Sequence, residues 1–174
     1  DQVMNIHKDY IDAGSDILTT NTFRTTPRTF IKAGYSQNES EIISEQCCNM
    51  AIAAAKHAVK KENTLIAGSV APLEDCYEPL HFPGKEIAKK EFQLIINNII
   101  RNGVDILLFE TMGNFEEIES ALQVSNDIDI QRWLSIVLKN NNSILDGTEL
   151  NKVVDLANKN KIDMVLINCT PIHI

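Results

Sequence analysis

Three segments of the chain share one pattern of polar and apolar positions: an aspartate, four apolar or small residues, and a polar residue five positions after the aspartate. They are residues 16–21 (DILTTN), 105–110 (DILLFE) and 163–168 (DMVLIN). A nearly continuous apolar run of this length is typical of a strand buried on both faces, as in parallel sheets. Each run follows a helical pattern, so the repeat predicts a βα unit. The final polar residue then lies at the carboxyl end of a strand, where parallel α/β folds place their chemistry.

The remaining periodicity predicts five strands alternating with helices. Strands are expected near residues 15–22, 64–70, 105–110, 132–138 and 164–169. Helices are expected before residue 13 and near 38–61, 85–102 and 114–126, and a turn followed by a helix is expected over 146–160. For the helix near 38–61 we expect a capping box of Asn38 and Glu41. Its inner stripe is expected to be Ile42, Ile43, Met50, Ala51, Ala54 and Ala58. Residues 71–84 contain three prolines and no periodicity, which predicts a long loop.

Two architectures accommodate five such units, each with connections long enough for right-handed crossovers. An open doubly wound sheet would be complete at 174 residues. A (β/α)8 barrel would be incomplete, because it typically needs about 250 residues. No glycine-rich phosphate-binding fingerprint follows a strand, and polar residues end strands throughout the chain. The pattern therefore favours a portion of a barrel.

The composition of the chain argues against several classes of function. The formal charge is −8, from 16 basic and 24 acidic side chains, which argues against a nucleic-acid partner or an anionic membrane surface. No apolar run approaches the roughly 20 residues of a membrane span, and no signal peptide opens the chain. Four cysteines without secretory context indicate reduced thiols, so we expect a cytoplasmic protein. Because the first residue is not Met and the chain starts in a helical pattern, we expect it to be a piece of a longer protein.

Five segments, in this order and spacing, resemble the homocysteine S-methyltransferase family. They are residues 7–23 (HKDYIDAGSDILTTNTF), 67–73 (AGSVAPL), 109–122 (FETMGNFEEIESAL), 145–150 (LDGTEL) and 167–170 (INCT). They are most similar to the stand-alone enzymes that use S-methylmethionine or S-adenosylmethionine. The resemblance implies an α/β fold, the (β/α)8 TIM barrel, represented by about strands 2–6 with their helices. Residues 1–174 would then be a single homocysteine-binding barrel domain that is truncated at both ends.

The resemblance also implies a zinc cofactor and a set of site residues. The family's Asn-Cys motif supplies the first of three cysteine ligands to zinc, which corresponds to Cys169, and the other two are expected beyond Ile174. The family's glutamate that contacts the amino group of homocysteine corresponds to Glu110. The other residues expected to bind substrate are Asn21, Thr22, Ser69 and Asn168, with Thr20 in the same strand-end motif as Asn21.

The implied reaction moves a methyl group from a sulfonium or betaine-like donor to the thiol of homocysteine, giving methionine. A free thiol, with a pKa of about 8.5, is mostly protonated at neutral pH, and coordination to zinc removes its proton. The partners are thus homocysteine and a methyl donor whose identity stays open. Two alternatives also remain: another barrel enzyme of lyase or aldolase type, with Glu110 as base or Lys139 forming a Schiff base, and a non-catalytic barrel fragment that associates with a partner chain.

Other cysteines and histidines are weaker candidates. Cys47 and Cys48 are adjacent but lie in a predicted helix, where consecutive side chains point about 100° apart. His173 follows the candidate ligand by four positions, a spacing seen in zinc sites, although the family does not use this histidine. His7 is expected to be a surface or packing residue. In the long loop, Cys76 is a candidate for substrate contact.

Overall fold

The computed structural model describes residues 2–59 and 63–173, which form six α-helices and seven strands. The helices are α1 (Gln2–Asp12), α2 (Pro27–Lys32), α3 (Gln37–Ala58), α4 (Lys85–Arg101), α5 (Phe115–Val124) and α6 (Leu150–Lys159). The strands are β1 (Ile17–Thr19), β2 (Leu65–Val70), β3 (Ile106–Met112), β4 (Gln131–Ile136), β5 (Leu138–Asn140), β6 (Ser143–Ile144) and β7 (Met164–Ile167). The predicted loop at 71–84 contains only a short 3₁₀ turn, Pro79–His81.

Five strands form one sheet in the order β1-β2-β3-β4-β7. β1 pairs with β2, and β4 with β7, in parallel. The order in the sheet follows the order in the chain, so the sheet has no point at which the strand order reverses. Such a reversal defines the doubly wound alternative, which the structure therefore excludes. β5 and β6 form a separate antiparallel hairpin that the sequence pattern did not predict.

Helix α3 differs from its prediction in its cap and in its buried face. The capping box joins Ser36 to Glu39, so the prediction of Asn38 and Glu41 is wrong by two residues. Ile42 is 57% exposed and Met50 71% exposed, so these two do not belong to the inner stripe. The buried residues are Ser40, Ser44, Cys48, Ala51, Ile52, Ala55 and Ala58. The predicted Ala51 and Ala58 are among them, and apart from Ile52 the buried side chains of α3 are small. The predicted end of the helix at Lys61 lies outside the described residues.

Contacts within the chain separate two units, one containing residues 1–69 and 97–107 and the other 70–96 and 108–174. In the first unit, Ile11, Leu18 and Ala58 form a buried cluster against which Met4 and Val59 pack. The largest fully buried side chains of the second unit are Phe92, Ile96, Phe109, Met112, Ile118, Leu122, Leu134 and Ile136. Most of these lie on β3, β4 and α5, where the sequence pattern predicts buried elements.

The residue two positions before each repeated aspartate has a left-handed backbone. The φ angles are 100° at Gly14, 69° at Gly103 and 53° at Lys161. Glycine adopts this conformation without a steric penalty, whereas lysine does so at a cost of about 1 kcal/mol. The same backbone turn therefore precedes all three strands, although only two of them carry the glycine.

Two of the repeated aspartates hydrogen-bond to the neighbouring strand in the same way. Asp105 donates its backbone N–H to the Ile66 carbonyl at 2.9 Å, and its Oδ2 accepts the Ile66 N–H at 2.8 Å. Asp163 makes the corresponding pair with Arg132, at 3.0 and 2.7 Å. Each carboxylate thus accepts the backbone N–H of one residue of the preceding strand in the sheet. Asp16 is the equivalent residue of β1, the first strand in the sheet order.

Candidate functional site

In the second unit, the Asn168 side chain connects the carboxyl ends of three strands. Its Oδ1 accepts the Thr111 backbone N–H at 3.2 Å and the Ser135 hydroxyl at 2.9 Å. Its Nδ2 donates to Thr111 Oγ1 at 3.1 Å. Asn168 directly follows β7, while Thr111 lies in β3 and Ser135 in β4. The amide is therefore fixed by two partner residues and cannot rotate without breaking these bonds.

Two residues beside this amide have left-handed backbones without being glycine: Thr111, with φ 60°, and Cys169, with φ 49°. Such a conformation costs an L residue with a Cβ about 1–2 kcal/mol. Backbone strain of this kind concentrates at functional sites, where the surrounding structure maintains it. Here it occurs at the ends of β3 and β7, next to two residues that the sequence singled out, Glu110 and Asn168.

The Cys169 side chain is exposed, and its sulfur accepts a hydrogen bond from the preceding residue. Asn168 Nδ2 donates to Sγ at 3.7 Å, within the range for sulfur acceptors. Hydrogen bonding and charge interaction with the Cys169 side chain raise the pKa of the Tyr77 hydroxyl. The tyrosine was not singled out from the sequence. Its position in a long loop after a strand is the only sequence signal that could have indicated it.

The loop that carries Tyr77 is attached to α5. The Leu73 backbone N–H donates to Glu117 Oε1 at 2.8 Å, and Asn114 Nδ2 donates to the Pro79 carbonyl at 2.9 Å. Asn114 also caps α5, because its Oδ1 accepts the Glu117 N–H at 2.9 Å. Glu117 is buried, and its carboxylate binds the loop rather than the cap residue. Part of the ETMGNFEE motif therefore holds this loop in place.

The DGTEL motif forms a similar attachment. Asp146 accepts the Phe115 N–H at 2.6 Å and the Thr148 N–H at 2.8 Å. One carboxylate therefore connects the turn before α6 with the start of α5. Gly147 has a φ of 91°, which favours glycine at this position. Two of the five family-like motifs thus support the site through the backbone.

The other candidates in the second unit lie in different settings. Glu110 is half-buried in β3, next to Thr111. Lys139 is exposed in the β5–β6 hairpin, which follows the end of β4. His173 is exposed and lines a cavity of about 540 Å³ with Glu149 and the 140–143 turn. Cys76 is half-buried beside Tyr77.

In the first unit, three candidate residues form a closed set of hydrogen bonds. The Ser69 backbone N–H donates to Thr20 Oγ1 at 3.1 Å, the two threonine hydroxyls are 2.8 Å apart, and Thr22 Oγ1 donates to the Ser69 carbonyl at 2.7 Å. These three residues are buried, whereas Asn21 between the threonines is exposed. The threonine hydroxyls therefore attach the chain after β1 to the end of β2.

A cavity of about 600 Å³ in the same unit lies between α1 and β1. Its lining includes His7, Tyr10, Ile17 and Asn21. His7 is only 6% exposed, and its Nε2 has no hydrogen-bond partner among the described residues. Burial lowers the pKa of this imidazole. We expected His7 to be a surface or packing residue, and its burial confirms that it is a packing residue.

Metal-ligand chemistry is limited in the described part of the chain. Residues 2–59 and 63–173 contain no group of three or more His, Cys, Asp or Glu side chains that could hold a metal ion. Cys47 and Cys48 lie in α3, and burial together with the charge of Glu45 raises the pKa of Cys48 to about 11. A protonated buried thiol is a poor ligand. Cys169 is the cysteine that is exposed at a strand end.

The fold is that of a parallel α/β protein. At the carboxyl ends of its strands, polar residues and left-handed backbone lie next to an exposed thiol. Its sequence matches the homocysteine S-methyltransferase family over residues 1–174. The chain therefore belongs to the homocysteine S-methyltransferase family. The resemblance predicted from the five motifs is confirmed.

Individual relatives agree with this assignment. Homocysteine S-methyltransferase 2 of Arabidopsis thaliana is 26% identical over 97% of this chain, and the homocysteine S-methyltransferase of Escherichia coli K12 is 28% identical over 96%. A selenocysteine Se-methyltransferase of Brassica oleracea is 27% identical over 97%. The chain spans 58% of the length of the first two relatives and 56% of the third.

Among solved structures, the metallated form of the homocysteine methyltransferase MmuM from Escherichia coli matches with a TM-score of 0.88 at 25% identity. The match covers 98% of this chain and 63% of MmuM. The prediction of an α/β fold that represents a portion of the homocysteine methyltransferase barrel is thereby confirmed. Within the described residues, no helix is both long enough and apolar enough to span a membrane.

Proposed function

We propose that this chain forms the homocysteine-binding part of a methyltransferase that moves a methyl group from a sulfonium or betaine-like donor to the homocysteine thiol, giving methionine. The observation that carries the proposal is the exposed Cys169 sulfur, held by the Asn168 amide at the ends of parallel strands in a member of this family. Residues 1–174 would be a portion of one barrel domain.

Zinc is the proposed cofactor, and Cys169 fits one position in its ligand set. The sulfur is exposed at a strand end, and a soft thiolate is a preferred zinc ligand. The described residues do not provide a complete site, so we expect two further cysteine ligands in polypeptide beyond Ile174. When bound, zinc supplies a deprotonated substrate thiol at neutral pH.

The chain's own residues would bind and orient the substrate. Glu110 carries a carboxylate that suits the ammonium group of homocysteine. Asn168, fixed by Thr111 and Ser135, orients the Cys169 side chain. We place Asn21, Thr22 and Ser69 in the same substrate-binding role. Because the leaving thioether of a sulfonium donor is neutral, the transfer requires alignment of the two sulfur atoms more than an acid.

The proposal predicts the following assay result for the full-length protein. Homocysteine is converted to methionine with at least one of S-methylmethionine, S-adenosylmethionine and betaine, supplied in parallel. Cys169→Ser lowers kcat/KM at least about 100-fold, because a hydroxyl does not replace a thiolate ligand. Glu110→Gln raises the KM for homocysteine about 10-fold or more, the effect of a lost charge-assisted pair. Cys47→Ser, in α3, is the matched control and retains activity.

Metal content is tested separately by native mass spectrometry under reducing conditions, which reads chain mass and bound metal together. One zinc per full-length chain, lost in Cys169→Ser, supports the cofactor assignment. Absence of methionine formation with all three donors would overturn the proposed function, and a metal-free active protein would overturn only the role of zinc.

A cytoplasmic location is also proposed. The four cysteines are all free, as expected in a compartment that keeps thiols reduced. Fractionation of cells that express the tagged full-length protein tests this, with recovery in the cytosol as the expected result.

A further inference from the structure

Thr111, near the end of β3, combines a left-handed backbone with a β-branched side chain. Its φ angle is 60°, and only 2% of the residue is exposed. A positive φ is an outlier for a β-branched residue, since glycine adopts this conformation without a steric penalty. The backbone alone therefore does not explain a threonine at this position, whereas its hydroxyl group does.

The hydroxyl and the backbone N–H of Thr111 both bind the Asn168 amide. Oδ1 of the amide accepts the Thr111 N–H at 3.2 Å, and Nδ2 donates to Thr111 Oγ1 at 3.1 Å. Because a backbone N–H can only donate, Oδ1 must face it, and Nδ2 is then the end of the amide that faces the hydroxyl. Valine, which has the same shape as threonine, would make only the first of these bonds. The hydroxyl thus holds the amide at a second point.

These bonds join two strands that are not neighbours in the sheet. Thr111 lies in β3 and Asn168 follows β7, whereas β4 lies between these strands. Neighbouring strands are about 4.8 Å apart, so an asparagine side chain does not reach across β4 in a flat sheet. The ends of β3 and β7 must therefore converge, as in a barrel, where side chains from alternate strands meet in the interior. Ser135 of β4 donates to the same Oδ1 at 2.9 Å.

The N–H that Asn168 binds belongs to the peptide group joining Glu110 to Thr111. Asn168 therefore holds the backbone directly after Glu110, the residue proposed to bind the ammonium group of homocysteine. We infer that Thr111 is a positioning residue for Glu110, because its hydroxyl keeps the Asn168 amide on this peptide group. The inference rests on the proposed function and extends it to a residue that is itself buried.

The test is a double-mutant cycle in the full-length protein, measured as the KM for homocysteine. Thr111→Val keeps the β-branched shape, and with it the backbone strain, while removing the hydroxyl. We expect it to raise this KM about 3- to 10-fold with kcat nearly unchanged, the factor for one net hydrogen bond. In the Glu110→Gln background the same substitution has no further effect on KM, because the residue through which it acts is already changed. Thr111→Ser, which keeps a hydroxyl, restores the wild-type KM.

Two controls separate the positioning of Glu110 from a general loosening of the fold. γ-Mercaptobutyrate is homocysteine without its amino group, and its inhibition constant as a competitor of homocysteine should be equal in Thr111→Val and the wild type. Thr29→Val removes a hydroxyl of α2 that is 3.0 Å from Thr26 Oγ1, and it leaves the KM unchanged. Weaker inhibition in Thr111→Val overturns the inference, and so does a KM increase that persists in the Glu110→Gln background.

Urea denaturation tests the contact between the strands without substrate. Thr111→Val should raise the equilibrium constant of unfolding about 3- to 10-fold in the wild type and leave it nearly unchanged in the Asn168→Ala background. Coupling of this kind in a protein that makes no methionine overturns the proposed function, and the role of Glu110 with it. Methionine formation without this coupling overturns only the inference about Thr111.

Discussion

A single side chain, that of Asn168, hydrogen-bonds to two other strands at the carboxyl end of the parallel sheet. The repeat predicted a polar residue there, and family resemblance predicted its place beside a ligand. Neither indicated the partner Thr111, because threonine has no preference for the left-handed backbone that it adopts, with a φ of 60°. Contacts between residues 57 positions apart in the chain depend on the folded sheet, so local sequence patterns do not reveal them.

Truncation of this amide should destabilise the protein. Asn168→Ala leaves the Thr111 N–H and the Ser135 hydroxyl without their acceptor, at a cost of about 1–3 kcal/mol in the free energy of unfolding. Urea denaturation measures the change. Asn158→Ala, at an exposed position of α6, is the control and should stay within about 0.5 kcal/mol of the wild type. Equal stability of the two variants would contradict the bridging role.

His7 should make stability depend on pH. Burial lowers its folded pKa, so the unfolded chain takes up a proton at a higher pH than the folded chain does. Stability is therefore unaffected above the ordinary value of about 6.5 and falls as the pH decreases below it, by at most about 1.4 kcal/mol per pH unit. Denaturation between pH 7.5 and 5 should show a steeper fall for the wild type than for His7→Gln. His57→Gln, which removes an exposed histidine of α3, should behave like the wild type.

At the scale of elements, the apolar periodicity of the sequence was sufficient to predict the five strands of the sheet and the long helices. For α3 it placed Ala51 and Ala58 correctly on the buried face but Ile42 and Met50 wrongly, because small residues such as Ser44 form part of that face. The Ser44 hydroxyl is satisfied by the Thr25 carbonyl at 2.6 Å, a partner 19 residues away. The β5–β6 hairpin was missed because strands of three and two residues are too short to show a period.

The repeated aspartates should stabilise the sheet unequally. Asp105→Ala and Asp163→Ala each leave a strand N–H without its acceptor, which should cost about 1–2 kcal/mol in the free energy of unfolding. Asp16→Ala is the matched control, since its carboxylate makes no hydrogen bond or ion pair with the residues that the structure describes, and it should have almost no effect. Urea denaturation of the three variants provides the comparison. A loss at Asp16 as large as that at Asp105 would contradict this interpretation.

At the scale of the whole molecule, periodicity favoured a barrel, and the five motifs identified the family that the comparison then confirmed. Site assignments depended on the family motifs, because a strand-end polar residue has structural as well as functional uses. Thr20 and Thr22 illustrate this, since their hydroxyls are engaged with Ser69. The substrate contacts of Glu110, Asn21, Thr22, Ser69 and Asn168 stay predictions.

The polypeptide of residues 1–174 should self-associate. β1 and β7 are the outer strands of the five-stranded sheet, and β7 exposes Met164, Val165 and Ile167 by 42%, 40% and 57%. Unpaired strand edges with apolar side chains favour pairing with another chain. Light scattering should show a mass that increases with concentration, and Val165→Lys should reduce the increase. Val154→Lys, at a 38% exposed position of α6, should not. A concentration-independent monomer would contradict the prediction.

The hydrogen bonds of Asp105 and Asp163 also bear on the order in which the strands of the sheet can assemble during synthesis. Asp105 contacts a residue 39 positions earlier in the chain, and Asp163 one that is 31 positions earlier. Because a ribosome releases the chain from its amino end, each aspartate emerges after the strand whose N–H it accepts. A strand can therefore align against a neighbour that already exists, without waiting for later sequence. The carboxylates that directly precede β3 and β7 thus carry information needed for assembly in the order of synthesis.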